Sequence, residues 1–66
     1  MKQSYTAIYS TEKLKNIHYS FKAKDNYFAM LFCSTKFEIP LSYVAIFNHK
    51  ENQFIHLSST LENNTI

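Results

Sequence analysis

Three histidines and one cysteine are the side chains of this sequence best suited to metal binding, and they are His18, His49, His56 and Cys33. Strong zinc signatures pair their ligands closely, as in CxxC or HxxxH, so that three or four ligands can converge. No such pair occurs in these 66 residues. His18 and His56 would meet on one sheet face only if their strands were neighbours. We therefore expect no metal and no other cofactor, and we interpret the histidines as surface or half-buried structural residues.

Cys33 is also the candidate nucleophile for cysteine chemistry. A reactive thiol needs a nearby cation or a helix N-terminus to lower its pKa. Cys33 instead falls in an apolar stretch near the C-terminal end of a predicted helix, where the dipole disfavours an anion. A single cysteine excludes an internal disulfide. We expect a reduced and buried thiol, which is typical of the cytoplasm.

Other catalytic patterns are missing from the sequence. Acid–base catalysis would need paired carboxylates, but the glutamates are scattered and mostly in predicted connections; they are Glu12, Glu38, Glu51 and Glu62. A glycine-rich phosphate loop is excluded because the chain has no glycine. These observations predict a protein that is not an enzyme.

The lysines give the clearest functional pattern. All seven basic residues are lysines, and the net charge is +2. Lysines interleaved with aromatic rings suit a phosphate backbone and stacked bases, although the absence of arginine disfavours a sequence-specific reader. The simpler interpretation is a solvated fringe that keeps a sticky small domain soluble. The predicted partner-binding residues are Lys13, Lys15, His18, Lys22, Lys24, Tyr27 and Lys36.

Two strands are predicted before the helix. Tyrosine, threonine and isoleucine at period-two spacing indicate a strand over residues 3–10, and a cleaner alternation indicates another over residues 17–23. We expect these strands to form an antiparallel hairpin. Because glycine is absent, turns that need positive φ must use asparagine. The candidates for such turns are Asn16, Asn48, Asn52, Asn63 and Asn64.

Residues 26–36 are predicted to form a helix of about three turns packed across the sheet. Asp25 is a favourable N-cap, and Pro40 disfavours helix at the residue before it. One helical stripe is expected to face the sheet; it contains Phe28, Ala29, Phe32, Cys33 and Lys36, with Met30 and Phe37 at its flank. Tyr27 and Leu31 remain on the other side of the helix, so spare apolar surface is expected there and on the open sheet face.

Two further strands are predicted after the helix. Residues 41–48 are apolar on both sides, which is typical of a central or doubly covered strand. Residues 53–59 are expected to point Ile55 and Leu57 inward and Phe54, His56 and Ser58 outward. The predicted fold is α+β, a four-stranded antiparallel sheet with one helix on one face in the order β-β-α-β-β. A short fifth strand in the tail is the alternative.

One helix covers only one face of such a sheet, so the second face is expected to be open. The predicted members of this open face are Ile8, His18, Ser20, Lys22, Phe54 and His56. We expect a single domain over residues 1–66, with residues 60–66 as a frayed tail. No leader-like start and no apolar run of about 20 residues appears. We therefore expect a soluble, cytoplasmic monomer or homodimer without membrane contact.

The stretch "YTAIYS…IHYSFKAKDNYFAMLFCSTKF" resembles the layout of very small phage and mobile-element proteins, among them anti-CRISPR proteins. Two strands lead through a "KAKD" step into an alanine-containing helix and then a second hairpin. The resemblance covers residues 5–59 as architecture, contains no specific motif and carries over no functional residues. It implies a phage-encoded inhibitor that blocks a bacterial protein or ribonucleoprotein complex, such as a CRISPR effector, in the host cytoplasm. The alternative is a small regulatory domain that binds DNA or RNA directly through its lysine and aromatic surface.

Overall fold

The computed structural model describes residues 1–58. Its elements are β1 (Gln3–Tyr9), β2 (Ile17–Ala23), α1 (Asn26–Lys36), a 3₁₀ turn (Leu41–Tyr43), β3 (Ala45–Asn48) and β4 (Gln53–His56). The strands form one antiparallel sheet in the order β2-β1-β3-β4, with α1 packed on one face. The predicted α+β class, sheet and helix are confirmed. The alternative fifth strand and the predicted frayed tail fall on residues 59–66, which lie outside the described residues.

The helix begins and ends at the predicted residues. Asp25 has extended backbone, and its Oδ1 accepts a hydrogen bond from the backbone N–H of Phe28 at 3.1 Å. At the other end, the N–H of Phe37 donates to the carbonyl of Cys33 at 3.3 Å. The chain then leaves the helix before Pro40, in agreement with the expected effect of proline on the residue before it.

Two asparagines supply the turns that need positive φ. Asn16 and Asn52 have φ values of 54° and 56°, a region in which asparagine is tolerated better than most residues. The prediction is wrong for Asn48, which is a buried strand residue. Asn48 serves its turn through its side chain instead, because its Oδ1 accepts from the N–H groups of Lys50 and Glu51 at 2.8 and 3.0 Å. Asn63 and Asn64 lie outside the described residues.

The third strand is shorter than predicted. Residues 41–44 do not continue it, since the N–H of Tyr43 donates to the carbonyl of Pro40 and that of Val44 to the carbonyl of Leu41, both at 2.9 Å. These i→i−3 bonds wind the chain into a 3₁₀ turn. The first strand likewise ends at Tyr9 rather than at residue 10.

A bulge changes the side-chain alternation of β4. Ile46 is opposite His56, whereas the next residue, Phe47, is opposite Phe54. One extra residue on a strand reverses the direction of the side chains that follow it. Phe54 is exposed and Ile55 packs against the core, as predicted.

Three predicted directions after the bulge are wrong. Leu57 is 66% exposed, and Ser58 is buried. His56 does not lie outward on the open face, because its Nδ1 hydrogen-bonds with the carbonyl of Val44, a fully buried residue, at 2.7 Å.

The core lies between α1 and the inner face of the sheet. The helix approaches the sheet through two small residues, Ala29 and Cys33, which are fully buried. Their size brings the helix close to the sheet and leaves the longer side chains to spread sideways. The rings packed between helix and sheet are those of Tyr5, Tyr9, Tyr19, Phe21, Phe32 and Phe37. Phe28 was expected among them, but 43% of its surface is exposed, so this prediction is wrong.

A buried polar network joins the sheet to the start of the helix. The amide of Asn48 is fully buried, and its Nδ2 donates to Oδ1 of Asn26 at 2.8 Å and to Oε1 of Gln3 at 3.0 Å. The hydroxyl of Tyr5 donates to the same Asn26 oxygen at 2.9 Å. In residues 1–58, every buried side-chain nitrogen or oxygen has a partner. The network therefore fixes α1 relative to β1 and β3 without an unpaired polar group.

Candidate protein-binding surface

Strand β2 forms one edge of the sheet, and within residues 1–58 only its β1 side is paired. A free edge presents backbone N–H and C=O groups that another extended chain can bond. Its side chains alternate: Tyr19 and Phe21 pack towards α1, while His18 and Lys22 are exposed on the opposite face. This edge therefore offers both backbone pairing and two chemically different sides.

A groove of about 390 Å³ lies beside this edge, between β2 and α1. We call it the edge groove, and its lining residues are Lys2, Lys22, Ala23, Phe28, Leu31, Phe32 and Thr35. Phe28 and Leu31 keep 43% and 45% of their surface exposed, so the groove has open apolar walls. Lys2 and Lys22 give its lining positive charge. A ligand with apolar side chains next to carboxylates would complement such a groove.

Two predicted partner-binding residues surround Phe28. The Nζ of Lys24 lies 5.9 Å from the centroid of the Phe28 ring, which is within the range of a cation–π contact. The ring of Tyr27 meets Phe28 edge-on, with 5.4 Å between their centroids, and 69% of the Tyr27 surface is exposed. Lys24 and Tyr27 therefore lie next to the edge groove rather than apart from it.

Lys36 adds a further cation at the opposite end of α1. Its Nζ lies 5.6 Å from the ring centroid of Tyr19, a β2 residue. The Tyr19 ring itself is held by Phe32 and Phe37, whose centroids are 6.2 and 5.6 Å away. Lys36 consequently places its charge on the helix side of β2, the side away from His18.

The structure places the predicted partner-binding residues along β2 without gathering them into one patch. Lys13 and Lys15 lie in the exposed connection before β2, whereas Lys22 and Lys24 lie at its far end. His18 is exposed on the open face, near the start of the strand. Of these residues, Lys22 lines the edge groove.

Three residues that line the edge groove, Lys2, Phe28 and Leu31, were not among the predicted partner-binding residues. Phe28 was assigned to the core, and Leu31 was assigned to spare apolar surface that could serve as an interface. The usable signal was their spacing, since Phe28, Leu31 and Thr35 recur at i, i+3 and i+7 and so share one helix face. That face is separate from the one that carries Ala29 and Cys33.

The open face of the sheet carries a second surface. Thr6 Oγ1 hydrogen-bonds with Nε2 of His49 at 2.7 Å, and the Phe47 ring meets both His49 and Phe54 edge-on with centroids 5.1 Å apart in each pair. A depression of about 550 Å³ on this side is lined by Ser4, Tyr5, Ser20, Phe21, Lys22 and His49. Lys22 lines both this depression and the edge groove.

The histidines do not converge. His18 lies on β2 and His56 on β4, which are the two outer strands of the sheet, so the condition for their meeting fails. Within the 58 residues described, no three His, Cys, Asp or Glu side chains come together in a way that could hold a metal ion.

Burial raises the pKa of the Cys33 thiol to about 11. At neutral pH the thiol is therefore protonated, and it lies in the core rather than in a cleft. Burial, followed by the charges of Asp25 and Glu51, also raises the pKa of Tyr5. Neither group is poised as a nucleophile or base near neutral pH.

Comparison with protein-family models, with curated proteins and with solved structures finds no match to this chain. In the part of the chain that the structure describes, no helix has the length and apolar character needed to cross a membrane.

Proposed function

We propose that this protein is a non-enzymatic interaction protein that binds another protein through the edge groove. The observation that carries the proposal is the groove of about 390 Å³, with exposed Phe28 and Leu31 in its walls and Lys2 and Lys22 in its lining. Tight interfaces are built around buried apolar and aromatic anchors with a polar rim. The groove supplies the apolar pocket, and the lysines select a partner with carboxylates at the rim.

The partner that best fits this proposal belongs to a larger bacterial protein or ribonucleoprotein complex. The layout of the chain resembles small phage inhibitors of the anti-CRISPR kind, which act by occupying a surface of such a complex. The mode of action proposed is therefore blockage in the host cytoplasm, without catalysis.

Affinity capture from bacterial lysates with matched variants tests this proposal. Leu31 and Phe54 are almost equally exposed, at 45% and 46%, but Leu31 lies in the edge groove and Phe54 on the open face. The wild type and Phe54→Ser should retain the same stoichiometric partner, and Leu31→Ser should lose it. Retention by Leu31→Ser with loss by Phe54→Ser would contradict the proposal, as would failure of the wild type to retain any partner.

Direct binding of DNA or RNA is the second candidate, favoured by the lysine-over-ring pairs Lys24–Phe28 and Lys36–Tyr19. Base stacking needs a free ring face, however, and both of these rings already have a lysine above them. Tyr27 is the exposed ring that remains beside this surface. Phosphate binding should weaken steeply between about 50 and 200 mM salt. If the purified protein shifts no oligonucleotide even at low salt, this second candidate is excluded.

A further inference from the structure

We infer that the partner segment binds in extended form, as an added strand on the edge of β2 that residues 1–58 leave unpaired, and that its residues alternate between apolar and acidic. The inference rests on the proposed function, because it specifies how the edge groove is occupied. It differs from the proposed function in excluding a helical or irregular ligand at the same site.

The backbone of β2 supports strand addition. β2 has seven residues paired to β1 without interruption, from Tyr9↔Ile17 to Gln3↔Ala23. Such a strand is about 23 Å long, and alternate residues of an edge strand direct their N–H and C=O groups away from the sheet. An extended segment can satisfy these groups by backbone hydrogen bonds, which give affinity without requiring a particular sequence.

The two sides of β2 dictate the alternation of the added strand. Side chains that point to the helix side would lie beside Phe21 and enter the edge groove against Phe28 and Leu31. Side chains that point to the open side would lie beside Lys22 and, four residues nearer the start of β2 on the same face, beside His18. Successive strand residues alternate between these sides. The apolar residues of the partner therefore fill the groove, and its carboxylates face Lys22.

A second copy of this chain is a poor occupant of the same edge. Antiparallel pairing of β2 with itself would set Lys22 directly opposite Lys22 in one register, and in the other registers it would still bring a second Lys22 onto the same short edge. Like charges directly opposite each other on paired strands are destabilising, and lysines on an edge strand discourage self-association. Charge complementarity thus selects an acidic partner rather than self-pairing.

Designed peptides and the purified protein test the inference. The probe is a capped peptide of about eight residues that alternates glutamate and valine. Its controls are a peptide of the same composition in Val-Val-Glu-Glu order, the lysine–valine analogue, and the alternating peptide N-methylated at every second amide. Backbone amide NMR shifts and hydrogen exchange of β2 report where the peptide binds and whether edge amides become protected.

Strand addition predicts that the alternating acidic peptide binds about tenfold more tightly than each control, with new protection confined to outward amides of β2. Lys22→Glu and Leu31→Ser should each weaken this binding about tenfold. Matched exposed variants away from the groove, Lys50→Glu and Leu14→Ser, should leave it unchanged.

Three results would overturn the inference. Equal binding of the Val-Val-Glu-Glu or N-methylated peptide would mean that the groove takes acidic apolar chains without strand pairing, which leaves the proposed function standing. Preference for the lysine–valine peptide would reverse the charge argument. Absence of β2 shifts with every peptide at millimolar concentration would exclude strand addition, while the lysate capture would still decide the proposed function separately.

Discussion

The ring of Phe32 on α1 stacks on the ring of Phe21 on β2, with centroids 4.6 Å apart and planes inclined by 20°. This contact attaches the helix to the edge strand of the sheet. Phe32 is also part of the lining of the edge groove. The same ring therefore holds the two walls of the groove together and forms part of its surface, so a substitution at this residue should change both the stability of the fold and the shape of the groove.

Phe32→Ala should lower the free energy of unfolding by about 2–3 kcal/mol, somewhat less than for a fully buried phenylalanine. The physical reason is loss of the stack with Phe21 and of the contact with Tyr19. Urea denaturation measures the change. The control is Leu31→Ala, at the exposed residue just before Phe32. It should lower the free energy of unfolding by about 0.5 kcal/mol or less. Equal effects of the two substitutions would contradict the packing described.

Asn48→Ala should lower the free energy of unfolding by about 2–3 kcal/mol, because it leaves several buried partners unpaired. The groups affected are the N–H groups of Lys50 and Glu51 and the oxygen of Asn26. Asn48→Asp keeps an acceptor but loses the amide donor and buries a charge, so it should not restore stability. Urea unfolding of both variants tests this. A cost below about 0.5 kcal/mol for Asn48→Ala would show that the network is dispensable.

Asn16 and Asn52 should respond to substitution through their backbone. Each has positive φ, which glycine adopts at no steric cost and a β-branched residue adopts only with strain of about 1–2 kcal/mol. Asn52→Gly should therefore leave thermal stability nearly unchanged, and Asn52→Val should lower it. The same pair of substitutions at Asn16 provides an independent repeat. If the valine and glycine variants have the same thermal stability at both sites, the left-handed backbone conformations described for Asn16 and Asn52 are contradicted.

Alkaline pH should destabilise the fold through Cys33. Its pKa rises from the ordinary 9.0 to about 11 on folding. Between pH 9 and pH 11 the folded state thus keeps a proton that the unfolded chain loses. The contribution of this group to the free energy of unfolding is therefore fully present below pH 9 and is lost as the pH rises towards 11. Two pH units correspond to about 2–3 kcal/mol. The raised pKa of Tyr5 acts in the same direction at higher pH.

The control for the pH prediction is Cys33→Ala. This variant should be less stable at neutral pH, because it leaves a cavity, but its free energy of unfolding should fall less between pH 9 and pH 11 than that of the wild type. Denaturant titrations at several pH values measure both slopes. Parallel declines in the two proteins would rule out Cys33 as the titrating group.

Local signals in the sequence were sufficient for the first half of the fold. The strict alternation from Ile17 to Ala23 and the cap at Asp25 predicted β2 and α1 with their observed bounds. Both signals depend only on neighbouring residues, because strand periodicity and helix capping are local effects. The chain order of the elements followed from them.

The remaining features depend on contacts between distant residues. The bulge opposite Ile46 reversed the directions of Leu57 and Ser58 relative to those predicted from simple alternation. No local sequence pattern indicates where such an extra residue will occur. The exposure of Phe28 followed from the close approach of Ala29 and Cys33 to the sheet. The edge groove itself exists because β2 lies at the edge of the sheet, and strand order is a property of the whole chain.

Site-specific photo-crosslinking in bacterial cells tests the central claim, that the edge groove is the working surface. A photoreactive phenylalanine analogue placed at Leu31 reports on the groove, and the same group at Phe54 reports on the open face, with almost equal exposure at the two positions. We predict a single protein adduct from position 31, abolished by Lys22→Glu, and none from position 54. An adduct formed from position 54 and absent from position 31 would contradict the account.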